Sequence, residues 1–236
     1  VYDKKGRIEL RGCISMARIG LFDVVGPTMV GPSSSHTAGA VRLGLATRRI
    51  LGAEVAKAEI TLHGSFAATY WGHRTDVALV AGLLGMGMDD ERIPQALELA
   101  QEAGLEYSFE SGDLGDVHPN SVRIQAEGSG DTIVMAGASV GGGRINIFEV
   151  NGFEAGVDGS YTTLLTRHRD EPGVIAEITK VLAIHGINIA FLDVSRKTRG
   201  SDALLLAETD DLISDLAQQH LLRVPGVIVV RILPRF

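Results

Sequence analysis

Between Ser160 and Phe236 the spacing of apolar residues switches back and forth between a period of two and a helical period, with a turn signal at each switch. Strands are predicted at 161–168, 187–196, 203–209 and 227–233, and helices at 174–185 and 212–223. Asp170-Glu171-Pro172-Gly173 and the stretch 198–201 supply the turns. The order βαββαβ is that of a ferredoxin-like plait, and few other arrangements accept it.

The preceding part of the chain is also mixed. A helix is predicted from Ala38 to Leu51, closed by Gly52, and a short strand around Ile60 and Leu62 that ends at His63-Gly64-Ser65. After a passage through small residues, a second helix starts near Thr75, and a third runs from Asp89 and Pro94 to Gly104. Strands follow at 105–110, 121–127, 132–138 and 144–150, with a hairpin turn at Gly128-Ser129-Gly130-Asp131 and a flexible run at Ser139-Val140-Gly141-Gly142-Gly143. The class is therefore α+β. Residues 1–20 lack a clean period and read as a tail, of which residues 1–15 are expected to be mobile; residues 21–153 read as one domain and residues 160–236 as a second, with 151–159 as linker.

Composition narrows the partners. A hydrophobic fraction of 45% in 236 residues is enough for real cores. No apolar run approaches the ~20 residues of a membrane span, so no membrane is expected and the cytoplasm is the default compartment. A formal net charge of −7 without a basic cluster argues against nucleic acid. Cys13 is the only cysteine, so this chain alone cannot supply the roughly four thiolates that hold an iron–sulfur cluster. None of the five lysines lies in a Gly/Ser-rich loop, which discounts pyridoxal phosphate.

The candidate chemistry sits where elements begin. Ser33-Ser34-Ser35-His36 stands at the entrance of the first helix, and a helix start offers unpaired N–H groups and partial positive charge to a carboxylate or phosphate. One serine would suffice as a cap. Gly72-His73-Arg74-Thr75-Asp76 leads into the second helix, whose positive end would hold the His73 imidazole neutral and available as a base. His118-Pro119-Asn120 lies in a polar loop. Three polar segments, each with a histidine, point to a pocket for a small polar anion. A serine hydrolase with His73 and Asp76 as base and orienter is remote, because no G-x-S-x-G elbow is present. The histidines also lack the spacing of a zinc motif, so no metal ligand is assigned.

Phe22-Asp-Val-Val-Gly-Pro-Thr-Met-Val-Gly-Pro-Ser-Ser-Ser-His-Thr-Ala-Gly39, Gly72-His73-x-Thr75-Asp76, His118-Pro119-Asn120 and Ser139-Val-Gly-Gly-Gly143 follow one another as in the beta chains of bacterial iron–sulfur L-serine dehydratases, which this sequence resembles from about residue 21 onward. Where that family commonly has a lysine before the Gly-His pair, Trp71 stands here. The resemblance implies an ammonia-lyase of two chains that converts L-serine to pyruvate and ammonia. Its 4Fe-4S cluster would be bound by cysteines of the alpha chain. Ser33, Ser34, Ser35 and His36 would hold the substrate carboxylate, His73 would transfer the proton, and Thr75, Asp76, His118 and Asn120 would be supporting polar groups.

The C-terminal unit resembles an ACT domain, an amino-acid-sensing module that pairs with a second copy. There His168, Asp170, Gly173 and Asn188 would surround an amino-acid effector, with Asp170 repelling its carboxylate. The N-terminal part also resembles the allosteric substrate-binding domain of some phosphoglycerate dehydrogenases. That likeness implies the alternative of a non-catalytic, amino-acid-binding regulatory module.

Overall fold

The computed structural model describes residues 28–236; the tail expected over residues 1–20, with Cys13, lies outside them. The first sheet has the order β2-β1-β3-β4-β5-β6. Its strands are β1 (Lys57–Leu62), β2 (Glu106–Ser111), β3 (Ser121–Gly128), β4 (Asp131–Gly141), β5 (Arg144–Val150) and β6 (Phe153–Val157). Only β1 and β2 run parallel, and the crossover between them carries three helices. Every other neighbouring pair is antiparallel.

Four helices accompany this sheet: α1 (Ala40–Leu51), α2 (Gly64–His73), α3 (Thr75–Leu83) and α4 (Ala96–Glu102). Every residue of α3 is buried, as expected of a helix that is apolar all round. It packs against α1 through glycines. A Cβ on Gly82 would collide with the Val41 carbonyl, and one on Gly44 with the Leu79 carbonyl, so the two backbones approach as closely as only glycine allows. Helix α1 lies over β3 and β4 and ends at Gly52, whose φ of 76° makes the left-handed stop.

Three expectations are corrected here. Residues 64–73 form α2 rather than an irregular passage; with two glycines and one buried side chain, Phe66, the segment carries little helical pattern. Residues 151–159 are not a free linker, since β6 pairs with β5 and adds an edge strand. Ser139–Gly141 belongs to β4, and only the turn beyond it is irregular.

The second sheet, in the order β10-β7-β9-β8, is antiparallel throughout. It consists of β7 (Thr162–Arg169), β8 (Ile189–Arg196), β9 (Asp202–Thr209) and β10 (Val227–Leu233), with α5 (Val174–Ile184) and α6 (Asp215–Leu222) between strands as the βαββαβ pattern predicts. Leu164, Leu205, Ala207 and Val230 face the helices and share a core with Ile178, Leu182 and Leu221. Alternate residues of the same strands, Leu165, Leu204, Leu206 and Leu233, join the core of the first unit, so β10, β7 and β9 are covered on both faces, whereas the edge strand β8 leaves Phe191, Leu192 and Val194 exposed. Arg231 of β10 fastens the two units. It donates from Nε to the Ile50 carbonyl at 3.1 Å and from Nη2 to the Leu51 carbonyl at 2.9 Å, a cation on the negative end of α1. None of the described helices is long and apolar enough to cross a membrane.

Candidate functional site

The three serines divide their roles. Ser33 has an extended backbone and its Oγ accepts from the His36 N–H at 3.1 Å, so it alone is the N-cap. Ser34 and Ser35 open a π-helical segment, Ser34–Gly39, that runs directly into α1. The wider π turn is marked by the Ala38 N–H reaching the Ser33 carbonyl at 3.4 Å. Ser34, Ser35 and His36 are half-buried, and Thr37 to Gly39 are buried.

The other motifs close on this segment. From α2, Thr69 Oγ1 lies 3.2 Å and Ser65 Oγ 3.5 Å from His36 Nε2, while the His73 ring centroid is 4.6 Å from that of His36. From the loop before β3, the Pro119 carbonyl accepts from the Ser65 N–H at 2.8 Å, satisfying an orphan donor at the start of α2, and Gly64 is the residue that lets it approach. The Asn120 carbonyl accepts from the Ser139 N–H at 3.0 Å. Ser139 in turn sits against Gly39, where any Cβ would strike its side chain. The glycine run is held as well, by Arg42 Nη1 donating to the Gly143 carbonyl at 2.5 Å.

The hydrogen bonds define the protonation of His36. Thr69 donates its hydroxyl proton to the Ser65 carbonyl at 2.7 Å, which leaves Thr69 Oγ1 as an acceptor toward His36. Nε2 is then the protonated nitrogen and Nδ1 carries the free lone pair. Burial, reinforced by the His73 ring, pushes the His36 pKa below the ordinary histidine value, so the imidazole is neutral near pH 7. His73 stands differently from the expectation. It is the exposed last residue of α2, and Arg74 in a left-handed conformation (φ 54°) separates it from α3, so it stands at a helix C-terminus rather than at the helix start expected of it. The neutral imidazole argued for His73 is in fact His36.

Further expectations need correcting. His118 is exposed and its Nδ1 accepts from the Asn120 N–H of its own loop at 3.1 Å, so this motif reaches the site through the Pro119 and Asn120 carbonyls rather than its imidazole. Thr75 and Asp76 are buried in the first turn of α3, and no hydrogen bond joins Asp76 to His73. That removes the base and orienter of a serine hydrolase. Ser65 and Thr69, which the sequence reading passed over, bind His36; they stand four residues apart on one helix face, a pattern visible only once α2 is known to be a helix. Thr37, Thr75 and Ser139 hold buried hydroxyls without a partner, a density of unmet polar groups typical of functional sites.

In the second unit Asp170 and Asn188 are already engaged, whereas the buried His168 Nε2 has no hydrogen-bond partner. Asp170 accepts from Arg196 Nη1 at 2.8 Å and from the Gly200 N–H at 2.9 Å, and these bonds, the backbone one first, hold its carboxyl below the usual range. Its charge is therefore met by Arg196 rather than left to repel a ligand. Asn188 Nδ2 donates to Asp210 at 2.6 Å. His168 is buried, with Nδ1 beside the Arg169 carbonyl at 2.8 Å. Gly173 keeps the predicted role, a left-handed residue (φ 96°) at the start of α5.

A serine-led helix start beside a histidine pair, in an α+β unit joined to a βαββαβ sheet, defines the two-part class of chain to which the comparisons point. Residues 20–149 match the family model described as "Serine dehydratase beta chain", and residues 162–226 match that of the ACT domain. The chain belongs to the serine dehydratase beta chain family. It is 41% identical to the "Probable L-serine dehydratase, beta chain" of Bacillus subtilis over 89% of this chain and 96% of that one. It is 39% identical to the "L-serine dehydratase, beta chain" of Peptoniphilus asaccharolyticus over 89% and 95%. A D-3-phosphoglycerate dehydrogenase of Synechocystis is 27% identical, but the alignment takes in 78% of this chain and only 34% of that enzyme.

Proposed function

We propose that this chain is the beta chain of a two-chain L-serine dehydratase, a carbon–nitrogen lyase that releases pyruvate and ammonia. The observation that carries the reading is the convergence of three sequence-separated segments on the Ser34–Gly39 turn, linked through His36–His73, Pro119–Ser65, Asn120–Ser139 and Ser139–Gly39. The near-complete coverage of the two beta chains, against about a third of the phosphoglycerate dehydrogenase, favours the enzyme over the regulatory module. In this reading the N–H and hydroxyl groups of Ser34 and Ser35 receive the substrate carboxylate. His73, exposed and adjacent, moves the α-proton; a neutral His36 beside it lets His73 become cationic without facing a second positive charge.

Among the described residues no group of three or more His, Cys, Asp or Glu is arranged to hold a metal, and the single cysteine lies outside them. The chain's described residues therefore do not fit an iron–sulfur cluster, and the reading assigns the 4Fe-4S group to an alpha chain. Self-association through the ACT-type sheet and an amino-acid effector there belong to the same proposal, as does a cytoplasmic location.

Purified alone, the chain should form no pyruvate from L-serine, and activity should appear on anaerobic reconstitution with the alpha chain. Ser34→Ala should raise KM with little change in kcat, because it removes a contact made in the ground state. Robust pyruvate formation by the isolated chain would overturn the assignment.

A further inference from the structure

Between the back face of the second sheet and the first unit lies a cavity that none of the site chemistry uses. Its interior is a half-open space of about 50 Å³ against Ile133, Phe153, Leu165 and Leu204, room for several non-hydrogen atoms where one water needs ~10–15 Å³. It adjoins an outer cleft of about 580 Å³ reached past Phe153 and Arg167, which line both. Arg169 and Lys197 stand at the outer cleft, and Arg231 closes the inner end.

The charges there are unequal. Arg167, Arg169, Lys197 and Arg231 outnumber Asp131 and Asp202 by four to two, in a chain whose formal net charge is −7. Most of these groups are engaged: Arg169 bonds Asp202 at 2.9 Å, Arg231 bonds the end of α1, and Lys197 donates to the Asn151 carbonyl at 2.9 Å. Arg167 is the exception. Its side chain is 39% exposed to the cleft, its guanidinium donates no hydrogen bond to any described residue, and its contact with Asp202 is a long one, 3.8 Å from Nε. A guanidinium that faces a cleft with its donors unspent is placed to take a ligand carboxylate in a charge-assisted pair.

We propose that this cavity binds a small carboxylate with a short apolar chain, the carboxylate on Arg167 and the chain between Leu165 and Leu204. The apolar interior beside an unmet cationic donor selects that amphipathic class over a purely polar anion such as phosphate. The site shares no residue with the Ser33–His36 turn. It does take in Ile50 and Leu51, the last turn of the helix that this turn begins, so occupancy would tie the second sheet to α1.

The test is titration of the full chain, with methyl-labelled side chains, using isovalerate; isopentanol and isopentylamine serve as neutral and cationic isosteres. Saturable methyl shifts at Ile133, Leu165 and Leu204 are expected for isovalerate, with at least tenfold weaker effects for the other two. Arg167→Gln should weaken isovalerate at least tenfold. Thr132→Trp, an exposed residue at the mouth, should abolish binding while the circular dichroism stays that of the wild type. Absence of saturable shifts with isovalerate, equal binding of isopentanol, or unchanged affinity in both folded variants would each overturn the proposal. None of these outcomes bears on the L-serine reading, which is scored by pyruvate formation.

Discussion

The chain holds two turns that look alike in sequence, each placing a histidine, small residues and a helix start together: Ser33–Gly39 before α1 and His168–Gly173 before α5. They differ in what their polar groups have left to offer. At the first, Ser33 caps the helix, His36 Nδ1 meets no partner among the described residues, and the Thr37 and Ser139 hydroxyls are buried without partners. At the second, Asp170 is bonded to Arg196 and Gly200, and Asn188 to Asp210, so a ligand carboxylate would have to replace bonds already made, and His168 Nε2 is the buried group of that turn left without a partner. A helix start is thus a binding site only to the extent that its own neighbours leave it unsatisfied.

The largest test of that difference is catalytic. His73→Ala in the reconstituted two-chain enzyme should lower kcat by about 10²–10⁴-fold, the usual loss of a proton-transfer group. Asp170→Asn, which keeps the acceptor for the Gly200 N–H but removes the charge facing Arg196, should leave kcat within about twofold at saturating L-serine. Near-normal kcat in the His73 variant would move the proton transfer elsewhere; a large loss in the Asp170 variant would dissolve the distinction between the turns.

A smaller effect separates the two glycines. Gly39 abuts Ser139, whose Cβ would lie 2.7 Å from a new methyl, whereas Gly173 has nothing within 4 Å and is constrained only by its φ of 96°. Gly39→Ala should destabilise by ~1–3 kcal/mol through overpacking, and Gly173→Ala by ~1 kcal/mol through the left-handed backbone. Urea denaturation monitored by circular dichroism measures both. Equal midpoints for Gly39→Ala and wild type would mean that Ser139 yields and that the close approach is not enforced.

The second sheet was legible element for element, because its strands and helices have their own apolar periods and turn signals between them; 227–233 matches at both ends and 174–185 differs by one residue, while the strand expected from 187 begins at Ile189 and the helix expected over 212–223 spans Asp215–Leu222. The first unit was legible where the same held, as in 144–150, and failed where tertiary contacts make the element. Helix α2 begins under the Pro119 carbonyl, a loop residue more than fifty positions on, and β6 exists because β5 offers it an edge. The motif residues themselves were readable by type and by resemblance. Their partners were not: Thr69 and Ser65 earn meaning only from the distance to His36, and the exchange of character between His36 and His73 depends on which helix end each occupies.

The smallest effect is a matter of pH. The folded-state pKa of His36 lies below its unfolded value of 6.5, through burial first and the His73 ring second. Between the two values the unfolded chain binds more protons, so the stability contributed by a neutral His36 is complete above pH 6.5 and is lost as the pH falls through the depressed pKa. His36→Gln, which cannot take up the proton, should therefore show a shallower fall of Tm from pH 7 to pH 5 than the wild type, while His168→Gln in the second turn serves as the comparison at a site where no such pairing of imidazoles occurs. Because part of the His36 shift comes from His73, His73→Ala should flatten the same limb by a lesser amount. Parallel Tm profiles for wild type and His36→Gln would show that the imidazole at the serine turn is not held neutral by its surroundings, and the contrast between the two turns would then rest on the unpartnered hydroxyls alone.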